Sequence, residues 1–122
     1  MNAEELKERT KALALRIIRL CSSLKRGATA GVIGRQLLRS GTSVGAQYRE
    51  AARARSAAEF ISKLESVIQE LDETSYWLEL LEGSELVKKS LLSELHQEVE
   101  DLIRIFVTSV KTAKSNKEMR DR

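Results

Sequence analysis

Apolar residues recur about every 3.5 positions through almost the whole chain, and this period constrains the fold more than any other feature of the sequence. It appears in four segments of about 20 residues, each long enough to form a helix that buries one face. The chain contains no proline, which would interrupt helix interiors. We therefore predict an all-α protein, an up-down-up-down four-helix bundle. The predicted core stripes are Leu6, Leu13, Ile17, Leu20 and Leu24; Ile33, Leu37, Val44, Tyr48 and Ala51; Phe60, Leu64, Val67, Leu71, Leu78 and Leu81; and Leu92, Leu95, Val99, Leu102, Phe106 and Val110.

A chain of 122 residues is long enough for one domain with one core. We predict a single domain over residues 1–122, with Gly83 as the C-cap of the third helix and a basic tail at residues 111–122. A long coiled coil is the alternative, and the glycine breaks disfavour it. The predicted helices span residues 3–25, 30–53, 56–82 and 85–114.

The composition excludes several protein classes. Cys21 is the single cysteine, so neither an internal disulfide nor a multi-cysteine zinc site can form. The chain has no run of about 18 apolar residues, which a membrane-spanning helix would need. Its charged N-terminus lacks the apolar core of a signal peptide. We therefore expect a cytoplasmic protein that does not associate with membranes.

The net charge of +3 conceals a strong partition of charge along the chain. Residues 59–101 carry a net charge of −9, whereas residues 1–33, 34–58 and 102–122 each carry +4. The third helix is thus acidic, and the elements around it are basic. In a folded bundle these charges either neutralise each other or produce a field on one face.

Several apolar residues fall outside the core stripes: Leu15, Ile18, Leu38, Ile105 and Val107. A monomeric bundle needs only one apolar stripe on each helix. The additional residues predict a second buried surface, most simply one between subunits. The alternative is a wide core stripe with a few apolar residues at the surface.

The stretch "GRQLLRSGTSVGAQYREAARARS" (residues 34–56) places several glycines inside a predicted helix. At about 100° per residue, Gly34, Gly41, Gly45 and Ala52 fall together on one flank of the apolar face. Each interior glycine destabilises a helix by up to about 1 kcal/mol relative to alanine. We therefore predict that another helix backbone approaches closely here, which only small side chains permit. The alternative is a weakened or broken helix, and the undisturbed apolar register disfavours it.

Four arginines lie on the opposite side of the same helix, within an arc of about 80°. They are Arg35, Arg39, Arg49 and Arg53, and we call them the arginine stripe. Arginine favours planar, bidentate contacts with phosphate or carboxylate, and such a stripe is typical of a nucleic-acid-binding protein. Two alternatives remain open. The arginines form a solvated face, or they pair with the acidic third helix of the same or a neighbouring subunit.

The sequence contains no recognisable catalytic, cofactor or metal site. Di-metal bundles use Glu-x-x-His motifs on paired helices, whereas the single histidine, His96, follows Glu94 by two positions. One histidine on a helix surface supports no Ser-His-acid or Cys-His arrangement. The segment "GATAGVIGR" lacks the Gly-Lys-Ser/Thr ending of a phosphate-binding loop. We expect a protein that is not an enzyme and that binds no cofactor.

The middle of the chain resembles a known family. The segments "QLLRSGTSVGAQYREA" (residues 36–51) and "FISKLESVIQELDETSYWLELL" (residues 60–81) are similar to four-helix bundle proteins encoded in intervening sequences of bacterial 23S rRNA genes. The similarity covers roughly half of the chain. Gln47 departs from the pattern, because members of this family commonly have asparagine at that position.

The resemblance implies a left-handed bundle that assembles into a homopentameric ring, without enzymatic activity and with a role in binding RNA or DNA. A similar bundle is the accessory variability protein of diversity-generating retroelements, which implies a reverse transcriptase as partner. We predict that structured RNA or RNA/DNA binds the arginine stripe, with help from Arg16, Arg19 and the C-terminal lysines. The alternative is a protein-interaction scaffold whose arginines form intersubunit salt bridges, with no nucleic-acid role.

Overall fold

The computed structural model describes residues 1–122, which form four α-helices and no strands. The prediction of an all-α four-helix bundle is confirmed. None of the four helices combines the length and the apolar character that crossing a membrane requires. The helices are α1 (Ala3–Ser23), α2 (Ala28–Ala52), α3 (Ala57–Gly83) and α4 (Lys89–Arg120).

Side-chain caps mark the beginnings of two helices. Asn2 Oδ1 accepts a hydrogen bond from the backbone N–H of Glu5 at 2.9 Å, before the first turn of α1. Ser56 Oγ accepts one from the N–H of Glu59 at 3.1 Å, before the first turn of α3. These bonds satisfy amides that have no partner inside the helix. The local sequence therefore determines where α1 and α3 begin.

Each helix packs antiparallel against the next one along the chain. Thr10, near the start of α1, lies against Gly45 near the end of α2, whereas Leu24 lies against Gly34 near its start. By contrast, α1 and α4 make few contacts, and the backbones of helices on opposite corners of the bundle do not come within 8 Å of each other. The interface between α1 and α4, which we call the α1–α4 seam, is therefore the least extensive in the bundle.

The core lies along the bundle axis and is built from the predicted stripes. Every stripe residue is buried or half-buried, and burying a side chain of this size contributes about 1.5–3 kcal/mol. Tyr48 of α2 and Phe106 of α4 meet across the diagonal, with ring centroids 5.3 Å apart and planes inclined at 44°. The two aromatic rings thus fill the space that helices on opposite corners leave between them.

Three fully buried hydroxyl residues, Thr10, Ser40 and Thr74, were not predicted by the stripes. Thr74 Oγ1 lies 2.9 Å from Ser40 Oγ and 2.8 Å from the carbonyl oxygen of Glu70. Thr10 Oγ1 donates a hydrogen bond to the carbonyl oxygen of Leu6 at 2.8 Å. A buried hydroxyl without a partner is unfavourable. Each of these hydroxyl groups can donate a hydrogen bond to a backbone carbonyl of its own helix, so the three residues are compatible with an apolar core.

The glycines of α2 allow α1 to approach closely. Gly34, Gly41 and Gly45 are all buried. A Cβ atom added to Gly41 would lie only 2.3 Å from Ile17 Cδ1, and one added to Gly45 would lie 3.2 Å from Thr10 Oγ1. Helix α2 continues through all three positions without a break. The predicted tight helix contact is confirmed, and the alternative of a broken helix is wrong.

The predicted second apolar surface is present only in part. Leu15, Ile18 and Leu38 are 44%, 41% and 38% exposed. Ile105 is instead half-buried and packs against the core, while Val107 lies half-buried in a cleft between α3 and α4. Residues two positions apart point about 200° away from each other on a helix. Ile105 and Val107 therefore lie on different sides of α4, and both are half-buried. Helix α4 contributes no continuous exposed apolar stripe.

The turn between α3 and α4 differs from the prediction. The fourth helix begins at Lys89, not at residue 85, because Glu85 adopts the left-handed conformation with φ of 62°. The predicted cap, Gly83, is instead the last helical residue of α3. The N–H of Leu86 donates to the carbonyl oxygen of Leu81 at 3.1 Å, which closes the turn. The left-handed position that usually carries glycine after a helix thus carries a glutamate.

We expect Glu85→Gly to stabilise the protein by about 0.5–1 kcal/mol. A left-handed conformation costs a non-glycine residue roughly 1–2 kcal/mol, part of which the greater freedom of glycine in the unfolded chain offsets. Urea denaturation measures the change. The control is Glu94→Gly at an exposed position inside α4, which should lose about 1 kcal/mol. If both variants lose stability equally, Glu85 is not strained.

The end of α4 also lies beyond the predicted boundary. The helix continues to Arg120, six residues past the predicted end at 114, so most of the predicted basic tail is helical. Residues 111–120 contain no glycine or proline to end the helix. Lys117 Nζ lies 2.8 Å from Asp121 Oδ2, one turn further on, and such pairs support a helix. Polar composition alone therefore did not locate the end of the helix.

Candidate nucleic-acid interface

Helix α2 exposes three of the four predicted arginines while it buries its apolar face, and the fourth, Arg53, is the C-cap residue that follows the helix. Ile33, Leu37 and Val44 point into the core, and the helical period turns the arginine stripe away from them. Arg35, Arg39, Arg49 and Arg53 are all exposed. They differ in their partners, and this difference decides which charges remain available to a ligand.

Arg39 is neutralised within the same chain. Its Nη1 lies 3.3 Å from Glu70 Oε2, and its Nη2 contacts a carboxylate oxygen of Glu73. The hydrogen bond with Glu73, reinforced by the charge of Glu70, raises the pKa of Arg39 above its ordinary value. The middle of the arginine stripe is therefore bound to the acidic third helix, as one of the alternatives anticipated.

The other three stripe residues have no acidic partner. No carboxylate oxygen lies within 4.0 Å of the guanidinium groups of Arg35, Arg49 or Arg53. Nη1 of Arg35 folds back toward Gly31, 3.4 Å from where a Cβ atom of that residue would lie. The stripe thus consists of one cation near the start of α2 and two near its end, separated by a neutralised pair.

More cations surround Arg35 at the turn between α1 and α2. Lys25 and Arg26 line a cleft of ≈ 360 Å³ together with Arg35, and none of its lining residues is acidic. Cys21 also lines this cleft, and partial burial raises the pKa of its thiol. The positive charge at this end of α2 is therefore greater than the stripe alone suggests.

The auxiliary cations predicted from the sequence are less uniform. Arg16 and Arg19 form no ion pair. Among the C-terminal lysines, Lys114 Nζ lies 3.5 Å from Glu65 Oε2, and Lys117 binds Asp121. Part of the C-terminal charge is therefore already balanced.

The structure also assembles a polar cluster that the sequence analysis missed. Ser75 Oγ lies 2.8 Å from His96 Nε2 and 2.9 Å from Glu100 Oε1. In a Ser-His-acid triad the acid holds Nδ1, which leaves Nε2 free to accept the serine proton. Here the acid and the histidine both contact the serine hydroxyl, so the cluster links α3 to α4. The four-residue spacing of His96 and Glu100 was a visible signal, but their partner on α3 was not.

The sequence matches the model of a known protein family over most of its length. The model of the 23S rRNA-intervening sequence protein family matches residues 4–108, most of the chain. The chain belongs to that family. Membership confirms the resemblance carried by residues 36–51 and 60–81. The match ends inside α4, so the last turns of this helix lie outside the part that the family model describes.

A solved structure supports the assignment of this family member. It is that of a protein of unknown function from the S23 ribosomal protein family of Bacteroides thetaiotaomicron VPI-5482. The two chains are 34% identical and superpose with a TM-score of 0.84, over 91% of this chain and 99% of the other. A comparison with curated proteins found no match.

Proposed function

We propose that this family member is a non-enzymatic bundle protein that binds structured RNA or RNA/DNA through the exposed arginines of α2. The observation that carries the proposal is the absence of any carboxylate partner for Arg35, Arg49 and Arg53. Two exposed guanidinium groups on α2 and a third at its C-cap suit the phosphate backbone, which arginine contacts bidentately. Contacts of this kind position a protein on nucleic acid without reading its sequence.

The ion pairs of α3 favour this proposal over a scaffold built on intersubunit salt bridges. Within the same chain, α3 already pairs with cations of α2 and α4 through Glu65, Glu70, Glu73 and Glu82. Its strong negative charge is therefore partly used inside the subunit. Fewer carboxylates remain to neutralise the arginines of a neighbouring copy, so a polyanion is the better partner for them.

We propose further that copies of this protein assemble, as a homopentameric ring of left-handed bundles. Leu15, Ile18 and Leu38 support assembly, because three exposed apolar side chains on the α1–α2 hairpin favour a covering surface. Several copies of the arginine surface in one assembly would raise the avidity for a long nucleic acid. A reverse transcriptase is the proposed protein partner, by the family's relation to retroelement accessory proteins. Mass by light scattering at low and high salt, with and without nuclease, tests the assembly.

The salt dependence of binding tests the nucleic-acid interface. We expect the affinity for a folded RNA hairpin to fall steeply with salt, because bound phosphates release counterions. In Arg35→Ala/Arg49→Ala, the slope of log K against log salt should become shallower by the amount that corresponds to about two lost phosphate contacts. Affinity at the lowest salt should drop by roughly tenfold or more. Fluorescence anisotropy at four or more salt concentrations provides both numbers.

Arg39→Ala is the matched control for this experiment. It removes the same side chain from the same helix, but from a position already neutralised by Glu70 and Glu73. We expect the salt slope of Arg39→Ala to differ from that of the wild-type protein by less than the contribution of about half a phosphate contact. Wild-type protein that binds no RNA, or a double variant with an unchanged slope, would rule out the proposed interface.

A further inference from the structure

The bundle is open at the end where α2 and α4 finish. Met1 lies beside Arg104, Ile105 and Ser109, so α1 begins level with this part of α4. The residues of α4 from 110 to 120 continue past that level for about 16 Å, at 1.5 Å per residue. The last turn of α2, the start of α3 and the end of α4 meet at this end, and no residue of α1 lines the space between them.

A groove of ≈ 660 Å³ occupies this open end. Half of its lining residues are alanines, among them Ala51 and Ala52 from α2, Ala57 from α3 and Ala113 from α4, and Phe60 lies among them. It is larger than the cleft of ≈ 360 Å³ at the opposite end of α2. Volumes of this size are typical of small-molecule sites. The alanines leave a wide, apolar space beside one aromatic ring.

One lining residue of the groove is cationic, and two more cations are next to a lining residue in the sequence. Arg120 lines it directly, and Arg53 and Arg55 flank Ala54, another lining residue. None of these three guanidinium groups forms an ion pair, and no lining residue is acidic. Glu59, nearby, accepts a hydrogen bond from the backbone N–H of Arg55 at 3.1 Å. The groove therefore suits a ligand with a flat apolar part and a negative charge.

We propose that this end groove holds an unpaired nucleotide, its base beside Phe60 and its phosphates on Arg53, Arg55 and Arg120. This inference rests on the proposed nucleic-acid function and adds to it a preference for single-stranded segments. Proteins that bind single strands combine a cationic track for the backbone with aromatic faces for the bases. A docked helix is a poorer occupant, because the length of about 16 Å by which α4 extends past α1 matches only three turns, too few for a stable isolated helix.

Filling the groove without changing its charge tests the inference. In Ala113→Leu, we expect affinity for an unstructured 12-nucleotide RNA to fall about tenfold, within the range for one lost base stack. Affinity for a blunt duplex of the same length should change less than twofold. Ala12→Leu, at an exposed alanine of α1, is the matched control and should leave both affinities unchanged. Thermal melting followed by circular dichroism confirms that each variant is folded.

Crosslinking gives a second measurement that needs no variant. Wild-type protein irradiated with an RNA containing 4-thiouridine should yield crosslinks that map by mass spectrometry to the peptides of Phe60 and Met119. The inference is overturned if crosslinks avoid both peptides, or if Ala113→Leu weakens single-strand and duplex binding equally or not at all. A loss of assembly mass in Ala113→Leu would also overturn it, by placing a second copy in the groove. The proposed function survives each of these outcomes, and it fails if wild-type protein binds neither RNA or if Arg35→Ala/Arg49→Ala leaves the salt slope unchanged.

Discussion

Replacing Gly41 by alanine is expected to lower the free energy of unfolding by about 2 kcal/mol. The added Cβ would lie 2.3 Å from Cδ1 and 3.1 Å from Cγ2 of Ile17, whose side chain is fully buried. Overpacking of this severity costs about 3 kcal/mol. The higher helix propensity of alanine returns about 1 kcal/mol. Urea denaturation followed by circular dichroism measures the difference.

A second substitution separates the steric effect from other causes. Ile17→Val removes the Cδ1 atom nearest to the new Cβ, and alone it should destabilise by about 1 kcal/mol. Added to Gly41→Ala, it should restore stability to at least the level of Ile17→Val alone. The coupling in this double-mutant cycle should then be about 2 kcal/mol. Additive effects would show that the two residues do not compete for space.

Gly83→Ala is the matched control for the glycine prediction. A Cβ atom at Gly83 would have nothing within 4 Å, and Gly83 does not adopt a left-handed conformation. The same substitution should therefore stabilise the protein slightly, by up to about 1 kcal/mol. If Gly41→Ala lowers the free energy of unfolding and Gly83→Ala raises it, the destabilisation at position 41 comes from the close contact between α1 and α2.

Features set by local sequence were predictable, and α2 shows why. Its apolar period and the glycine flank both follow from 100° of rotation per residue, so the buried face and the side that meets α1 could be located in advance. The turn at Glu85 could not be, because the pattern gave no reason for a glutamate to take a left-handed conformation. The helical end of α4 was missed because a polar segment can remain helical when nothing interrupts it.

The candidate site was less predictable, because its electrostatics depend on contacts between helices. Arg39 and Arg49 have the same chemistry and lie on the same helix side. Only the register between α2 and α3, which brings Glu70 and Glu73 level with Arg39, distinguishes them. The pairing of Ser75 with His96 depends in the same way on the register between α3 and α4. A single sequence contains the side chains but not these registers.

Breaking the ion pair of the α1–α4 seam should destabilise the bundle by about 2 kcal/mol. Arg9 binds Glu98 through two hydrogen bonds, Nε to Oε2 and Nη2 to Oε1, each 2.7 Å long. The hydrogen bond to Glu98 raises the pKa of Arg9 above its ordinary value. In Arg9→Ala, the Glu98 side chain, 17% exposed, would keep its charge without a partner, which costs about 1–3 kcal/mol or more. A fully buried pair would lose more.

Two comparisons identify the cause of that loss. Arg9→Met/Glu98→Leu, which removes both charges and retains apolar contact, should recover most of the stability, because no unpaired carboxylate remains. Lys7→Ala, which breaks the exposed pair with Glu4 on the same helix, should cost less than about 0.5 kcal/mol. Since α1 and α4 share few other contacts, hydrogen exchange in Arg9→Ala should accelerate first in α1. Uniform acceleration of exchange in all four helices would show instead that α1 unfolds only together with the whole bundle. The α1–α4 seam would then not control local unfolding of α1.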